Sequence, residues 1–231
     1  MPEQKWPRYL PVGDSALLVE FGNQIDPAIN RRVHVLALVL AQEPIPGLGE
    51  AVPTYRSLLI HYDPLYWSYQ GVIQLVQERM ERTGTVSLPE PRLVKISTVY
   101  GGKFGPDLEF VAGHSGLSVQ DVIRIHSSAT YPVYMMGFTP GFPYLGGIDE
   151  TIAAPRLETP RTRVPAGSVG IAGSQTGIYP IESPGGWRII GRTPLTLLDP
   201  HHDPPTLLVA GDRVRFLPIS EAEFERLSGS H

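Results

Sequence analysis

Hydrophobic and polar positions divide this chain into two parts with different rhythms. In the first, Ser15 to Phe21 is a short apolar run suited to a strand. Asp26-Pro27 then offers an N-cap followed by proline at the first helical position. Ile29, Val33, Leu36 and Leu40 follow at spacings of 4, 3 and 4, which predicts one apolar helical face, and Pro44-Ile45-Pro46-Gly47 ends the helix. Gly49 to Val52 has strand capacity, and a strand is predicted over about Thr54 to Tyr62, containing SLLIHY. Asp63-Pro64 repeats the cap signal, with Leu65, Tyr69, Val72, Val76 and Met80 marking a second amphipathic helix. This β-α-β-α order predicts a small α+β N-terminal domain over residues 1–85.

A polar stretch from Thr83-Gly84-Thr85 to Pro89-Glu90-Pro91 reads as a linker. A second domain is predicted over residues 92–231. Leu93 to Tyr100 reads as a strand, Pro106-Asp107 opens one short helix, and Ser118 caps another that runs to about His126. From Tyr131 onward, short strands alternate with Gly/Pro turns, which favours an all-β barrel or sandwich. The tail, Ser228 to His231, is expected to fray.

Composition narrows the function classes. The chain has 231 residues, 42% of them hydrophobic and 18% charged, as in ordinary globular proteins. A formal net charge of −4 gives no global basic field for nucleic acid. The absence of cysteine excludes thiolate chemistry and disulfides. No run approaches a membrane span, and MPEQKWPRYLPVGD lacks a signal-peptide pattern, so a cytoplasmic location is expected. One block departs from the average. Residues 137–194 hold 11 of the 24 glycines, 8 of the 24 prolines and five arginines, with no lysine. The block is also rich in Ile, Val, Phe, Tyr and Trp, so it reads as a rigid wall of short strands and turns, suited to gripping an anion or small polar molecule.

Common catalytic signatures are absent: no phosphate loop, no G-x-S-x-G, no H-E-x-x-H and no biotin-carrier Met-Lys-Met. Arg161 and Arg163 share one face of an extended segment. They either hold an anion between them or pair with Glu158, Glu182 or loop carbonyls. Gly173-Ser174-Gln175-Thr176-Gly177 is either an anion-binding nest with an amide-reading Gln, or a hairpin turn. Phe138 and Phe142 read as core plugs, whereas Tyr144 has a polar end for a site. His126 falls at a helix C-terminus, which would favour its protonated form. His201-His202 lies in a proline-rich loop, a poor setting for a metal.

Three stretches carry a family resemblance: MGFTPGFPYLGGID (136–149), TPRTRVPAGSVGIAGSQTGIYPIESPGGWRIIGRTP (159–194) and GDRVRF (211–216). Weaker matches are YGGKFGPDLE, LIHYDP and PVGDSALLVEFG. Together they resemble the family of bacterial 5-oxoprolinase B subunits, also labelled allophanate hydrolase subunit 1. It is similar to the carboxyltransferase portion of urea carboxylase (subdomains C and D) and includes the kinase inhibitor KipI. The resemblance implies a cyclophilin-like barrel after the N-terminal domain. It implies ATP-dependent opening of 5-oxo-L-proline to L-glutamate, with ATP and Mg²⁺ acting at the level of a complex. The implied partners are a KipA-like subunit and a LamB/YcsF-like subunit, this chain being inactive alone. The cations Arg161, Arg163 and Arg192 suit catalytic roles, and Tyr144, Ser174, Gln175, Thr176 and His126 suit substrate binding. Inhibition of a sensor histidine kinase and carboxyl transfer to urea or a related amide are the alternatives.

Overall fold

The computed structural model describes residues 5–229, which form two compact units divided at Glu90/Pro91. Ser230 and His231, the end of the expected frayed tail, lie outside the described residues; Ser228 closes a helix.

The first unit contains β1 (Arg8–Val12), β2 (Ala16–Glu20), α1 (Pro27–Ala41), β3 (Leu48–Pro53), β4 (Ser57–Tyr62) and α2 (Tyr69–Glu81). The strands form one antiparallel sheet in the order β1-β2-β4-β3. Alternate residues Leu17 and Val19 on β2 and Leu58 and Ile60 on β4 are fully buried, as period-2 patterning requires. They share a core with Val33, Leu36 and Leu40 of α1 and with Val72 and Val76 of α2. Asp26 caps α1, its Oδ1 accepting from the amides of Ala28 at 2.8 Å and Ile29 at 3.0 Å.

The second cap signal is resolved differently. Asp63 closes a tight turn: its carboxylate accepts from Leu65 N–H at 2.9 Å, and its carbonyl from Tyr66 and Trp67 N–H, each at 3.0 Å. Ser68 caps α2 instead, accepting from Gly71 N–H at 3.1 Å. Trp67 Nε1–H donates to Pro46 O at 2.8 Å and pins the turn, so Leu65, predicted on the helix face, is 92% exposed.

The second unit contains β5 (Leu93–Tyr100), α3 (Leu108–Ser115), α4 (Val119–Ser128), β6 (Tyr131–Met136), β7 (Pro143–Leu145), β8 (Arg161–Val164), β9 (Ser168–Ala172), β10 (Gln175–Ile178), β11 (Ser183–Gly185), β12 (Arg188–Arg192), β13 (Arg213–Pro218) and α5 (Glu221–Ser228). Seven strands close a barrel in the order β10-β7-β6-β13-β5-β12-β9. Strands β13 and β5 pair in parallel, and β8 and β11 form a separate two-stranded sheet. With α3, α4 and α5 the unit is a mixed α+β structure containing a barrel, which corrects the all-β expectation. The helices have a packing role: Leu108 and Val111 of α3 and Val122 of α4 share the barrel core with Ile96, Val133, Ile171, Ile178, Val214 and Phe216. Full burial of each such side chain contributes about 1.5–3 kcal/mol. A smaller aromatic cluster gathers Phe142, Tyr179 and Trp187 with half-buried Tyr144.

Candidate functional site

The structure draws two of the predicted site residues into one buried polar chain. Ser118 caps α4, accepting from Asp121 N–H at 3.1 Å, and the last turn of that helix carries His126 in among Tyr100, Tyr131, Phe216 and Thr176. Thr176 Oγ1–H donates to Gly170 O at 3.0 Å, which uses its one proton. At 2.9 Å from that oxygen, His126 Nε2 must therefore be the donor. Nδ1 is then the acceptor for the Tyr100 hydroxyl at 2.8 Å. Burial without a compensating anion lowers the His126 pKa to about 3. The protonated form expected from the helix C-terminus is thus overridden by desolvation. Burial also pushes the Tyr100 hydroxyl well above its ordinary value.

The predicted arginines are dispersed among different tasks. Asp107, at the start of α3, is buried and accepts from Arg161 Nη2 at 2.8 Å and from Ile189 N–H at 2.7 Å. Its own N–H donates to Ile189 O at 2.9 Å. Arg188 Nη1 approaches the same carboxylate at 3.9 Å while its guanidinium stacks on Phe110, 3.6 Å from the ring centroid. Arg161 is therefore part of a lock joining β8, α3 and β12. Arg163 pairs with Glu182 at 2.7 Å on the surface. Arg192 donates from Nε to Ala166 O at 2.8 Å, and among the described residues no carboxylate pairs with it.

The Ser174-Gln175 segment lies at the β9–β10 hairpin, where Ala172 pairs with Gln175 across Gly173 and Ser174. Gly173 has φ 57°, as a two-residue hairpin turn with glycine in its first position requires. Its amide donates to Ala154 O at 2.7 Å, so it is not turned toward a ligand. Ser174 is exposed and Gln175 half-buried. Tyr144, on the neighbouring β7, packs edge-on to Phe142 with 5.0 Å between ring centroids. Burial raises the Tyr144 pKa, opposed by the charge of Arg156.

Phe142 is the core residue the pattern predicts, at 1% exposure; Phe138 is not, at 63%. Arg156, Asp107 and Tyr100 complete this neighbourhood and were not singled out from sequence. Asp107 carried a signal as the residue after Pro106 at a helix start, whereas Arg156 lies in a stretch with no periodicity. A groove of about 600 Å³ lies elsewhere in this unit, lined by Arg92, Lys95, Leu195, His202 and Leu207 among others, and none of the predicted site residues faces it. Among the described residues, no three His, Cys, Asp or Glu side chains gather to hold a metal. Nor is any described helix long and apolar enough to cross a membrane.

Residues 7–208 match the family described as carboxyltransferase domain, subdomain C and D. The chain belongs to this family. Within it, the 5-oxoprolinase B subunit of Bacillus subtilis is 47% identical over 92% of this chain and 93% of its own length. The Escherichia coli O157:H7 protein of the same name is 42% identical over 91% and 95%. Among solved structures, a conserved uncharacterized protein from Pyrococcus horikoshii is 53% identical, covering 94% of this chain and 100% of its own, with a TM-score of 0.57. The TTHA0988 chain is 41% identical over 89% of this chain with a TM-score of 0.79, and there the match spans 40% of a longer polypeptide.

Proposed function

We propose that this chain is the B-type component of an ATP-dependent 5-oxoprolinase, opening 5-oxo-L-proline to L-glutamate together with partner subunits. The observation that carries this reading is the near-full-length similarity to a 5-oxoprolinase B subunit, 47% identical over 92% of the chain. The chemistry needs an activated lactam. Transfer of the γ-phosphoryl group of ATP to the lactam oxygen releases ADP and makes C5 electrophilic. Water adds there, the C–N bond breaks to free the amino group, and a second water displaces phosphate to leave the γ-carboxylate. A site for these steps requires fixed cations and donors where negative charge develops.

Arg192 is the cation we assign to substrate carboxylate or phosphate, because no carboxylate of the described residues occupies it. Ser174, Gln175 and Tyr144 supply donors and acceptors from the β9–β10 hairpin and β7; the hairpin lies at the opposite end of β9 from Ser168, the strand partner of Arg192. Arg161, Thr176 and His126 act as positioning residues through their buried partners, and Arg163 contributes surface charge. In this reading residues 1–85 form an α+β domain and residues 92–231 a cyclophilin-like barrel. The protein works in the cytoplasm with a KipA-like and a LamB/YcsF-like subunit, with ATP and Mg²⁺ bound at the level of the complex, and is inactive alone.

Reconstitution tests the proposal. This chain, the KipA-like and LamB/YcsF-like subunits, ATP, Mg²⁺ and 5-oxo-L-proline are mixed, and glutamate is measured while each component is omitted in turn. Glutamate should require every component. Equal yield without this chain would overturn the reading.

A further inference from the structure

The turn between β6 and β7 holds a phenylalanine ring out in solvent. Phe138 has φ 63°, the left-handed region, at a cost of about 1–2 kcal/mol for a residue with a side chain. The residue is nevertheless 63% exposed, so little burial within this chain offsets that strain.

The turn is rigid. Gly137 N–H donates to Phe142 O at 3.1 Å, Thr139 N–H to Gly137 O at 2.8 Å and Phe142 N–H to Thr139 O at 3.0 Å. Gly141, at φ 78°, lies against Leu198, Pro180 and Thr206. Behind the turn, buried Phe142 meets Phe138 edge-on at 5.6 Å and packs with Tyr144, Tyr179 and Trp187 at 5.0, 5.3 and 5.5 Å. Thr139 Oγ1, within the turn, is buried without a hydrogen bond, and exposed Arg156, whose charge acts on the Tyr144 and Tyr179 hydroxyls, has no carboxylate within 4.0 Å among the described residues.

We infer that this turn is a docking knob for the KipA-like partner of the proposed complex, with Phe138 entering an apolar socket and Arg156 meeting a carboxylate at its rim. An exposed aromatic ring held by a hydrogen-bonded turn, with an arginine in the same unit that no carboxylate of the described residues pairs, has the chemistry of a binding hot spot. Phe138 projects from the surface and lines neither the groove beside Arg92 nor the one beside His61 in the first unit, which favours a protein over a small ligand. The unpaired positive charge calls for an acidic neighbour. In the TTHA0988 chain the matched part is 40% of the polypeptide, so this fold occurs joined to further chain. The identity of the partner rests on the oxoprolinase reading.

Phe138→Gly separates docking from folding, because glycine relieves the positive φ while deleting the ring. Binding of the KipA-like partner to the full chain is measured by calorimetry for wild type, Phe138→Gly and Arg156→Glu, with thermal unfolding and sedimentation alongside. The expected result is at least a tenfold weaker affinity for each variant, with the melting temperature of Phe138→Gly equal to or above wild type. Equal affinities, or no binding of this partner by wild type, overturn the dock. So does self-association of wild type that Phe138→Gly abolishes, which would make a second copy the occupant. Tight wild-type binding without glutamate formation in the full mixture would sink the oxoprolinase reading and leave the dock standing.

Discussion

His126 Nε2 lies 2.9 Å from Thr176 Oγ1, joining the last turn of α4 to strand β10 through a bond buried from solvent at both ends. Thr176→Val keeps the shape of the side chain but leaves the His126 N–H without its partner, while the Gly170 carbonyl loses a side-chain donor and stays in the β-ladder. Each unpaired buried group costs about 1–3 kcal/mol. Urea unfolding should therefore show a midpoint well below wild type with an unchanged m-value. A midpoint within error of wild type would mean that the chain of bonds contributes nothing to stability.

The same histidine makes stability depend on pH. Its folded pKa is about 3, below the usual 6.5, so between those values the unfolded chain binds the extra proton. The contribution is fully present above pH 6.5, declines as pH falls, and is gone by the folded value near 3. At pH 5 the loss is about 2 kcal/mol, from about 1.4 kcal/mol per pH unit below 6.5. His126→Gln keeps a donor and an acceptor but does not titrate, so its unfolding free energy should change less than that of wild type between about pH 7 and pH 5. Parallel pH dependences would rule this out.

How legible this was in the sequence depended on whether the signal was local. Asp26-Pro27 opened α1 because cap and helix are neighbours in sequence, and β5 occupies the residues Leu93 to Tyr100 that its apolar pattern marks. Asp63-Pro64 carried the same local signal but lost to Ser68, because Trp67 bonds to Pro46, 21 residues away. The pairing of Arg161 with Asp107 spans 54 residues and is invisible to spacing. Phe138 and Phe142 had the same apparent character. Only the backbone of the turn sends one outward and the other into the core.

The two arginines of the β8 strand should separate cleanly. Arg161→Ala removes the main cation of a buried carboxylate and should cost about 1.5–3 kcal/mol, while Asp107→Ala, which strands Arg161 and Ile189 N–H together, should cost about 3 kcal/mol or more. Arg163→Ala loses only an exposed pair with Glu182, and its melting temperature should match wild type. If instead Arg161→Ala keeps wild-type stability while abolishing glutamate formation, Arg161 belongs with the catalytic cations and not with the lock.

Arg192→Ala tests the free cation. Among the described residues its side chain bonds to Ala166 O, so folding should change little, while glutamate formation by the reconstituted complex should fall by about 10²-fold or more. Arg192→Lys keeps the charge but loses the fork that grips a carboxylate or phosphate, and should recover only part of the rate. Full activity in Arg192→Ala would move the anion contact to another residue or to a partner.

Two glycines close to one another in sequence should respond in opposite directions. A Cβ on Gly105 would lie 2.1 Å from the Ile190 carbonyl oxygen, a backbone atom that also accepts from Gly101 N–H and cannot swing away. Gly105→Ala must therefore shift β12 or the turn before α3, at a cost of about 1–3 kcal/mol or more. Gly113 sits inside α3 with no atom within 4 Å of the added methyl. Gly113→Ala should raise stability by about 0.5–1 kcal/mol, because alanine loses less backbone freedom on entering a helix. Thermal unfolding of the two variants beside wild type gives the comparison. A stability for Gly105→Ala equal to or above wild type would show that α3 and β12 are not held together through that contact.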